Sequence, residues 1–534
     1  MGCGSTNEKS NIHDKDWLTT KEPNITPANS SKIKGKLGNK PIENYNESAM
    51  NLKKYFRDQV CPTNYLELFN DEVFPPNSDS LYAKKEGEFI DKDENRSKLL
   101  IFNPAIEDAD VEWLRLSQIF LDNYVLFEDK IEHIDIIQGK LGNGYLLTAF
   151  ASMAEHPELL VEIFKQHQIT KNGCYEIAMK INGEWQIVII DDFIPCDKKT
   201  KKPLFAKPHG SEAWVMLLEK AWAKANGGYL NICNGTCIEV LQALTPFIQE
   251  QYLPMYYWGE DFIWDKIKSS VKNGYIIGTN TVGNTGVTEV GLLSAHAYTI
   301  INVKEGEVNG ENIRLLRIRN TAGTQTYTGS WSDNSKDWTN DAITVFKRDS
   351  VKDANDGCFW IEFNDYFQRF ILLDICLVQK TTCSKSLKPT EETKDKSHVY
   401  NLRLESKATV NIQVFKRQYR FKRSIPDSSL LLINLILLKK GNIQNYIPFT
   451  FIKSSSELWC NPTISMELEP GDYLIYVHAD YTYHTFDKPR KWVLDVSSSS
   501  FFDLQYIDID PNFILLKEII YYYNYEHSPG ISLY

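Results

Sequence analysis

The hydrophobic period changes along this chain, and that change constrains its architecture more than any single motif. Between about residues 66 and 245 apolar residues recur at mixed helical and turn spacing. From about 247 to 380 they fall into short alternating runs. A polar linker follows at 381–397 (TTCSKSLKPTEETKDKS), and beyond it only strand-like runs remain. This order predicts an α+β class: a core in two parts, the first helical and the second strand-rich, then a separate all-β domain.

The local signals fill in that outline. Trp214, Leu217, Leu218, Ala221 and Trp222 form one apolar stripe, which predicts a helix over 211–225 with Ser211 as its N-cap. Small and apolar residues at helical spacing predict another helix over 144–153. Glu184 to Asp192 reads as a buried strand ending in acids, and 274–278, 295–300 and 313–319 read as strands bounded by Gly or Asn. After the linker, strand candidates recur at 407–415, 428–438, 446–452, 463–468, 473–480 and 491–496, with a turn at Glu469-Pro470-Gly471-Asp472. Such a run predicts an antiparallel β-sandwich.

Composition excludes several function classes. Lys+Arg number 59 against Asp+Glu 70, a formal net charge of −11, which argues against a nucleic-acid partner. No apolar run approaches the roughly 20 residues of a spanning helix; the longest, Leu430 to Leu438, is interrupted by Asn434 and reads as a buried strand. The start, MGCGSTNEKS, has no apolar signal-peptide core, so the ten cysteines are expected to be reduced thiols. Residues 1–48 are rich in Asn, Ser, Lys and Pro and read as a mostly disordered tail. Within it, Met1-Gly2-Cys3-Gly4-Ser5-Thr6 fits the myristoylation pattern at Gly2, and Cys3 is placed for palmitoylation. One acyl chain anchors weakly; two, helped by Lys32, Lys34, Lys36 and Lys40, would hold the chain on the cytoplasmic face of a membrane, at the plasma membrane or cell cortex, and otherwise it would be cytosolic.

Six separated segments carry a resemblance. These are Gln138-Gly139-Lys140-Leu141-Gly142-Asn143-Gly144-Tyr145-Leu146-Leu147, Ser211-Glu212-Ala213-Trp214 through Leu218-Glu219-Lys220-Ala221, Ala295-His296-Ala297-Tyr298, Arg317-Ile318-Arg319-Asn320-Thr321-Ala322-Gly323, Gly329-Ser330-Trp331-Ser332-Asp333 to Trp338, and Asp356-Gly357-Cys358-Phe359-Trp360. In that order they resemble the calpain family of papain-like cysteine endopeptidases, whose patterns are Q-G-x-L-G-D-C-W-L-L, S-E-F-W…L-E-K-A, G-H-A-Y, R-x-R-N-P-W-G, G-x-W-S-D…W and D-G-E-F-W. The resemblance implies a papain-like core in two halves, 49–246 and 247–380, with a C2-like β-sandwich over 398–534. It also implies that Gln138 matches the oxyanion-hole glutamine, Gly144 the nucleophilic Cys, His296 the general base and Asn320 its orienting partner.

The departures from the family are as informative as the matches. Gly144 stands where the nucleophilic Cys belongs, and a hydrogen cannot attack a carbonyl. Asn143 replaces the preceding Asp, Tyr145 the following Trp, and Thr321-Ala322 the Pro-Trp after the orienting Asn. Cys174, Cys196, Cys233 and Cys237 lie in the same half, but none falls at the matched helix start, and Cys233 and Cys237 lack a second ligand pair for zinc. The resemblance further implies calcium as the cofactor and no organic one. Asp135 and Glu212 match a first site, and Asp333 and Asp356 a second, which is impaired because Thr326 and Cys358 stand where Glu is expected. Asp91-x-Asp93-x-Asn95 begins like an EF-hand, but Arg96 and Phe102 break the pattern. Three functional readings follow: a catalytically impaired, membrane-tethered scaffold that binds protein or peptide ligands in its groove; an active calcium-dependent endopeptidase using another nucleophile; or a lipid-surface adaptor working through the sandwich.

Overall fold

The computed structural model describes most of residues 54–507. The segments 90–109, 322–326, 349–356, 390–397, 417–431, 441–448 and 481–491, some shorter ones, and both termini lie outside the described residues. Gly2, Cys3, the lysines of the tail, Asp91 to Asn95, Ala322, Thr326 and Asp356 are therefore outside them. The chain forms two compact units: the first runs to Val378 apart from the turn Asn182–Glu184, and the second takes that turn and the chain from Gln379 onward.

In the first unit, the helix Gly144–Met153 is buried along every residue from Tyr145 to Met153. That explains its apolar residues on all faces: it runs through the core rather than over it. The helix Trp214–Ala225 is also buried on every side, which the single apolar stripe did not anticipate. Its charged residues are neutralised in place. Lys220 pairs with Asp191, and Lys224 pairs with Asp71 at 2.6 Å. Ser211 is not its cap: the helix starts three residues later, because the Ser211 carbonyl accepts the Val125 N–H and Glu212 pairs in parallel with Val125.

The acidic strand Glu184–Asp191 pairs with Cys174–Ile181 across a tight turn at Asn182 (φ 52°) and Gly183 (φ 82°). Both turn residues have positive φ, the conformation Asn-Gly favours. The same device, Asn309 (φ 54°) and Gly310 (φ 82°), joins Ala297–Val308 to Glu311–Arg319. These two strands lie in a six-stranded antiparallel sheet whose order is 249–252, 370–376, 276–281, 297–308, 311–319, 358–362. The helix Glu260–Lys272 buries Ile263, Trp264 and Ile267 in the same core as Tyr298, Ile318 and Phe359.

The second unit contains a four-stranded antiparallel sheet (383–387, 492–498, 408–416, 463–468) and a five-stranded one (449–457, 432–440, 471–480, 398–404, 502–507). Both sheets contribute to one core that includes Val410, Ile412, Leu435, Leu437, Ile475 and Leu494. The strand expected over 428–438 is observed at Leu432–Lys440, with Ile433 and Leu437 fully buried. The segment read as linker is strand in part: Cys383–Leu387 pairs with 494–498 at the sheet edge. Its Ser and Lys residues suit an edge, where one row of backbone groups meets water.

Candidate active site

Gly139 brings Gln138 into place. A Cβ at Gly139 would lie 2.0 Å from the Phe205 carbonyl oxygen, so only glycine allows this approach of the two backbones. Gln138 Nε2 donates to the Leu141 carbonyl at 2.9 Å, which fixes its amide. Its Oε1 is then the atom nearer residue 144, 3.5 Å from the position a Cβ there would take. Gln138, the residue expected to match the oxyanion-hole glutamine, thus lies near residue 144 with its carbonyl oxygen rather than an N–H nearest to it.

Gly144 is the first residue of its helix, behind Asn143 as N-cap. A Cβ on Gly144 would meet His296 Cε1 at 3.1 Å and His296 Nδ1 at 3.5 Å. The imidazole therefore stands against the residue at which the nucleophile was expected. Asn143 Nδ2 donates to Glu219 Oε1 at 2.7 Å, and Glu219 also accepts the Ala206 N–H. Burial pushes the Glu219 carboxyl up to about 7. The amide at 143 supplies Glu219 with a donor, where a second carboxylate would have to share a proton with it.

His296 and Asn320 come together through strand register. Thr299 pairs with Arg319 in the antiparallel ladder, which sets Asn320 diagonal to His296 at adjacent strand ends. His296 Nε2 lies 3.1 Å from Asn320 Oδ1. A carbonyl oxygen only accepts, so Nε2 carries the proton and Nδ1 is the acceptor in the neutral ring. Burial lowers the His296 pKa and the Asn320 bond opposes that shift. Thr281 holds the backbone, accepting the His296 N–H and donating its own N–H to the His296 carbonyl, both at 3.1 Å. Tyr298 packs edge-on to the ring at 5.0 Å. Ala295, just before the histidine, has φ 49°, a left-handed conformation.

The helix of Gly144 also bonds directly to the histidine strand. Thr148 Oγ1 donates to the Ala297 carbonyl at 3.3 Å, and the Ser152 and Thr299 hydroxyls are 2.8 Å apart. These contacts were not readable from the sequence, where neutral hydroxyls in two separated segments carry no signal of pairing.

Burial holds several of the described cysteines as protonated thiols. Burial pushes Cys196 and Cys376 up to about 12 and raises Cys237 well above the ordinary thiol range. Cys174 is raised first by its hydrogen bond with Cys61 and then by burial; the same bond lowers Cys61. Cys233 is half-buried, and its neighbour Asn234 donates its backbone N–H to the Gly142 carbonyl.

A family model described as calpain family cysteine protease matches residues 69–377, more than half of the chain. The chain belongs to the calpain family. It is 31% identical over 318 residues to the calpain-1 catalytic subunit of Sus scrofa, covering 58% of this chain and 42% of that protein. Against the calpain-2 catalytic subunit of Bos taurus it is 31% identical over 337 residues, covering 61% and 45%. The chain thus matches less than half the length of these calpains.

Calcium, which the calpain resemblance implies, can be tested against the donors present. Glu212 is pushed up to about 8, first by burial and then by the nearby Asp135 charge. Asp135 is raised as well, chiefly by burial, with Glu128 and Glu132 adding to it. The Asp135 charge raises the proton affinity of Glu212, and a divalent cation beside the two hard carboxylates would offset that, although among the described residues no third His, Cys, Asp or Glu side chain completes a metal-binding group. The second pair fits poorly. Asp333 is engaged by Arg348, which donates to its carbonyl oxygen at 2.9 Å and lies 3.6 Å from its carboxylate. Cys358 is buried in a strand and offers a soft thiol where a carboxylate is needed.

Proposed function

We propose that this chain is a calpain-family protein whose core has lost thioester chemistry and serves as a membrane-tethered binding or regulatory scaffold. One observation carries the reading: Gly144 opens the helix beside His296, with a built Cβ 3.5 Å from Nδ1. The base and its orienting Asn320 remain, while the atom that would attack is missing. In this reading the groove binds protein or peptide segments without cutting them. Gly2 and Cys3 carry acyl chains and tether the protein to the cytoplasmic face of a membrane. The two-sheet unit beyond Gln379 serves as a C2-like domain, and Asp135 and Glu212 hold a calcium ion whose charge offsets their mutual repulsion.

The test is Gly144→Cys. The natural protein is expected to leave casein intact in calcium, and the variant to gain thiol-dependent cleavage. The built Cβ sits 3.1 Å from His296 Cε1, so the ring must give by a few tenths of an ångström and the gain will be partial. Casein cleavage by the natural protein, abolished by a thiol-blocking reagent, would overturn the proposal and restore the endopeptidase reading.

A further inference from the structure

We propose that Cys61 and Cys174 form a peroxide-sensitive thiol pair, in which Cys61 reacts first and Cys174 then closes a reversible disulfide. The inference goes beyond the scaffold reading and does not depend on the chemistry at residue 144.

One intervening segment brings the two cysteines together. Gln59 Nε2 donates to Asp71 Oδ1 at 2.9 Å, and Lys224 donates to Gln59 Oε1. Phe69 donates its N–H to the Asn172 carbonyl at 2.8 Å, and Asn172 Oδ1 accepts the Cys174 N–H at 3.1 Å. Residues 69–71 thus hold the chain just before each cysteine, and the two thiols meet in a hydrogen bond.

The two sulfurs differ in their surroundings. Cys174 opens the strand Cys174–Ile181 and is buried, whereas Cys61 is half-buried and lies outside helix and strand. A small peroxide therefore meets Cys61 before Cys174. The hydrogen bond lowers the Cys61 pKa, while burial and the Glu176 carboxylate oppose that shift without reversing it. The same bond raises Cys174, and burial, the Cys61 charge, Glu176 and Asp71 add to the rise. Cys174 is then the S–H donor and Cys61 the sulfur that carries the charge, which is the form that attacks peroxides.

The chemistry balances in two steps. The Cys61 thiolate attacks one oxygen of hydrogen peroxide and the O–O bond breaks. The departing hydroxide takes up the proton that Cys61 released and leaves as water, so Cys61 becomes a sulfenic acid. The Cys174 sulfur then attacks the Cys61 sulfur, the S–O bond breaks, and the hydroxide departs as water with the Cys174 proton. Two thiols are oxidised to one disulfide while one peroxide is reduced to two waters. The bond ties the segment through Cys61 to the strand Cys174–Ile181, and a thiol reductant reverses it.

The experiment uses the full chain, reduced and then treated with hydrogen peroxide, with its peptides read by mass spectrometry without reduction. A cross-linked peptide joining Cys61 to Cys174 is expected, and dithiothreitol should remove it. Before oxidation, iodoacetamide at pH 7 should label Cys61 about tenfold faster than Cys383, a half-buried thiol that burial raises. Cys174→Ser keeps a hydroxyl donor but removes the second sulfur. In that variant Cys61 should stay fast, form no disulfide and be trapped by dimedone as its sulfenic acid. Cys174→Ala removes the donor as well and should slow Cys61 labelling about tenfold. Cys61→Ser should leave Cys174 unoxidised; thermal melts establish that the variants fold. Peroxide treatment of the natural protein that yields no peptide joining the two cysteines would overturn the inference. So would dimedone trapping at another cysteine before Cys61, or Cys61 labelling unchanged in Cys174→Ala.

Discussion

Arg319 donates a 2.6 Å hydrogen bond from Nη2 to Glu155 Oε1. The pair joins the neighbour of Asn320 to the far end of the segment whose helix begins at Gly144. His133 Nδ1 lies 3.6 Å from the same carboxylate oxygen. The positions of His296 and Asn320 relative to Gly144 thus depend partly on an ion pair made entirely by the protein.

Removing Glu155 tests that dependence. Arg319 is buried, while Glu155 is about half exposed, so solvent screens part of the attraction. Glu155→Ala is expected to cost about 1–2 kcal/mol, mainly by leaving a buried guanidinium short of an acceptor. Urea denaturation measures it, and an unchanged midpoint would show that the pair contributes nothing.

The Lys224–Asp71 pair should matter more. Both side chains are fully buried, and Lys224 also donates to the Gln59 side chain and the Ile189 carbonyl. Lys224→Met leaves Asp71 with an uncompensated charge and is expected to destabilise by about 3–5 kcal/mol. The double variant Lys224→Met/Asp71→Asn should recover a large part of that loss. If the double variant is as unstable as the sum of the singles, the coupling is absent.

These pairs show where the sequence could be read and where it could not. The helix at 144–153 was legible because its period and the preceding Gln-Gly are local features. The order of Gln138, Gly144, His296 and Asn320 was legible through the family pattern, but the orientation of Gln138 was not, since it depends on the Leu141 carbonyl. The helix at 214–225 looked amphipathic because its lysines meet their acids only through tertiary contacts, with Asp191 and Asp71 on distant segments. Both hairpin turns carry the local Asn-Gly dipeptide, a signal present in the sequence itself. The edge strand at 383–387 was hidden by its polar composition, which is what an exposed edge selects.

Ala295 offers a stabilising substitution. Its φ of 49° is costly for a residue with a Cβ, and the calpain pattern carries Gly at this place. Ala295→Gly is expected to raise stability by about 1 kcal/mol, because relieved strain outweighs the entropy gained by the unfolded chain. A lower melting temperature would mean that unfolded-state entropy dominates.

Buried acids give the protein an inverted pH response over part of its range. Burial raises Glu219 and Asp374 each to about 7, above the ordinary 4.5 and 3.8. Between the unfolded and folded values the native state holds protons that the unfolded chain has released. Stability therefore falls as pH rises from about 4 to 7 and then levels, opposite to the effect of a salt-bridged carboxylate. Glu219→Gln and Asp374→Asn should each flatten the slope in melts taken across that window. A slope unchanged in both variants would assign the titration to other groups.

In the calcium-binding proposal, Glu212 would link this proton chemistry to the ion. With its carboxyl pushed up to about 8 by burial and by Asp135, it is largely protonated at pH 7 in the metal-free protein. A bound divalent cation favours the ionised form, so binding must release a proton and stabilise the native state. At calcium about a hundredfold above its dissociation constant the gain is about 2.7 kcal/mol, read as a rise in melting temperature. Raising the pH from 6.5 to 8 should tighten binding, because less work is then spent on deprotonating Glu212. Glu212→Gln removes both the charge and the proton, so the thermal shift and the proton release should disappear together. Asp333→Asn should leave both intact, because Asp333 is already engaged by Arg348. An equal calcium shift in the natural protein and in Glu212→Gln would place the ion elsewhere and leave the raised carboxyl at 212 a purely structural feature.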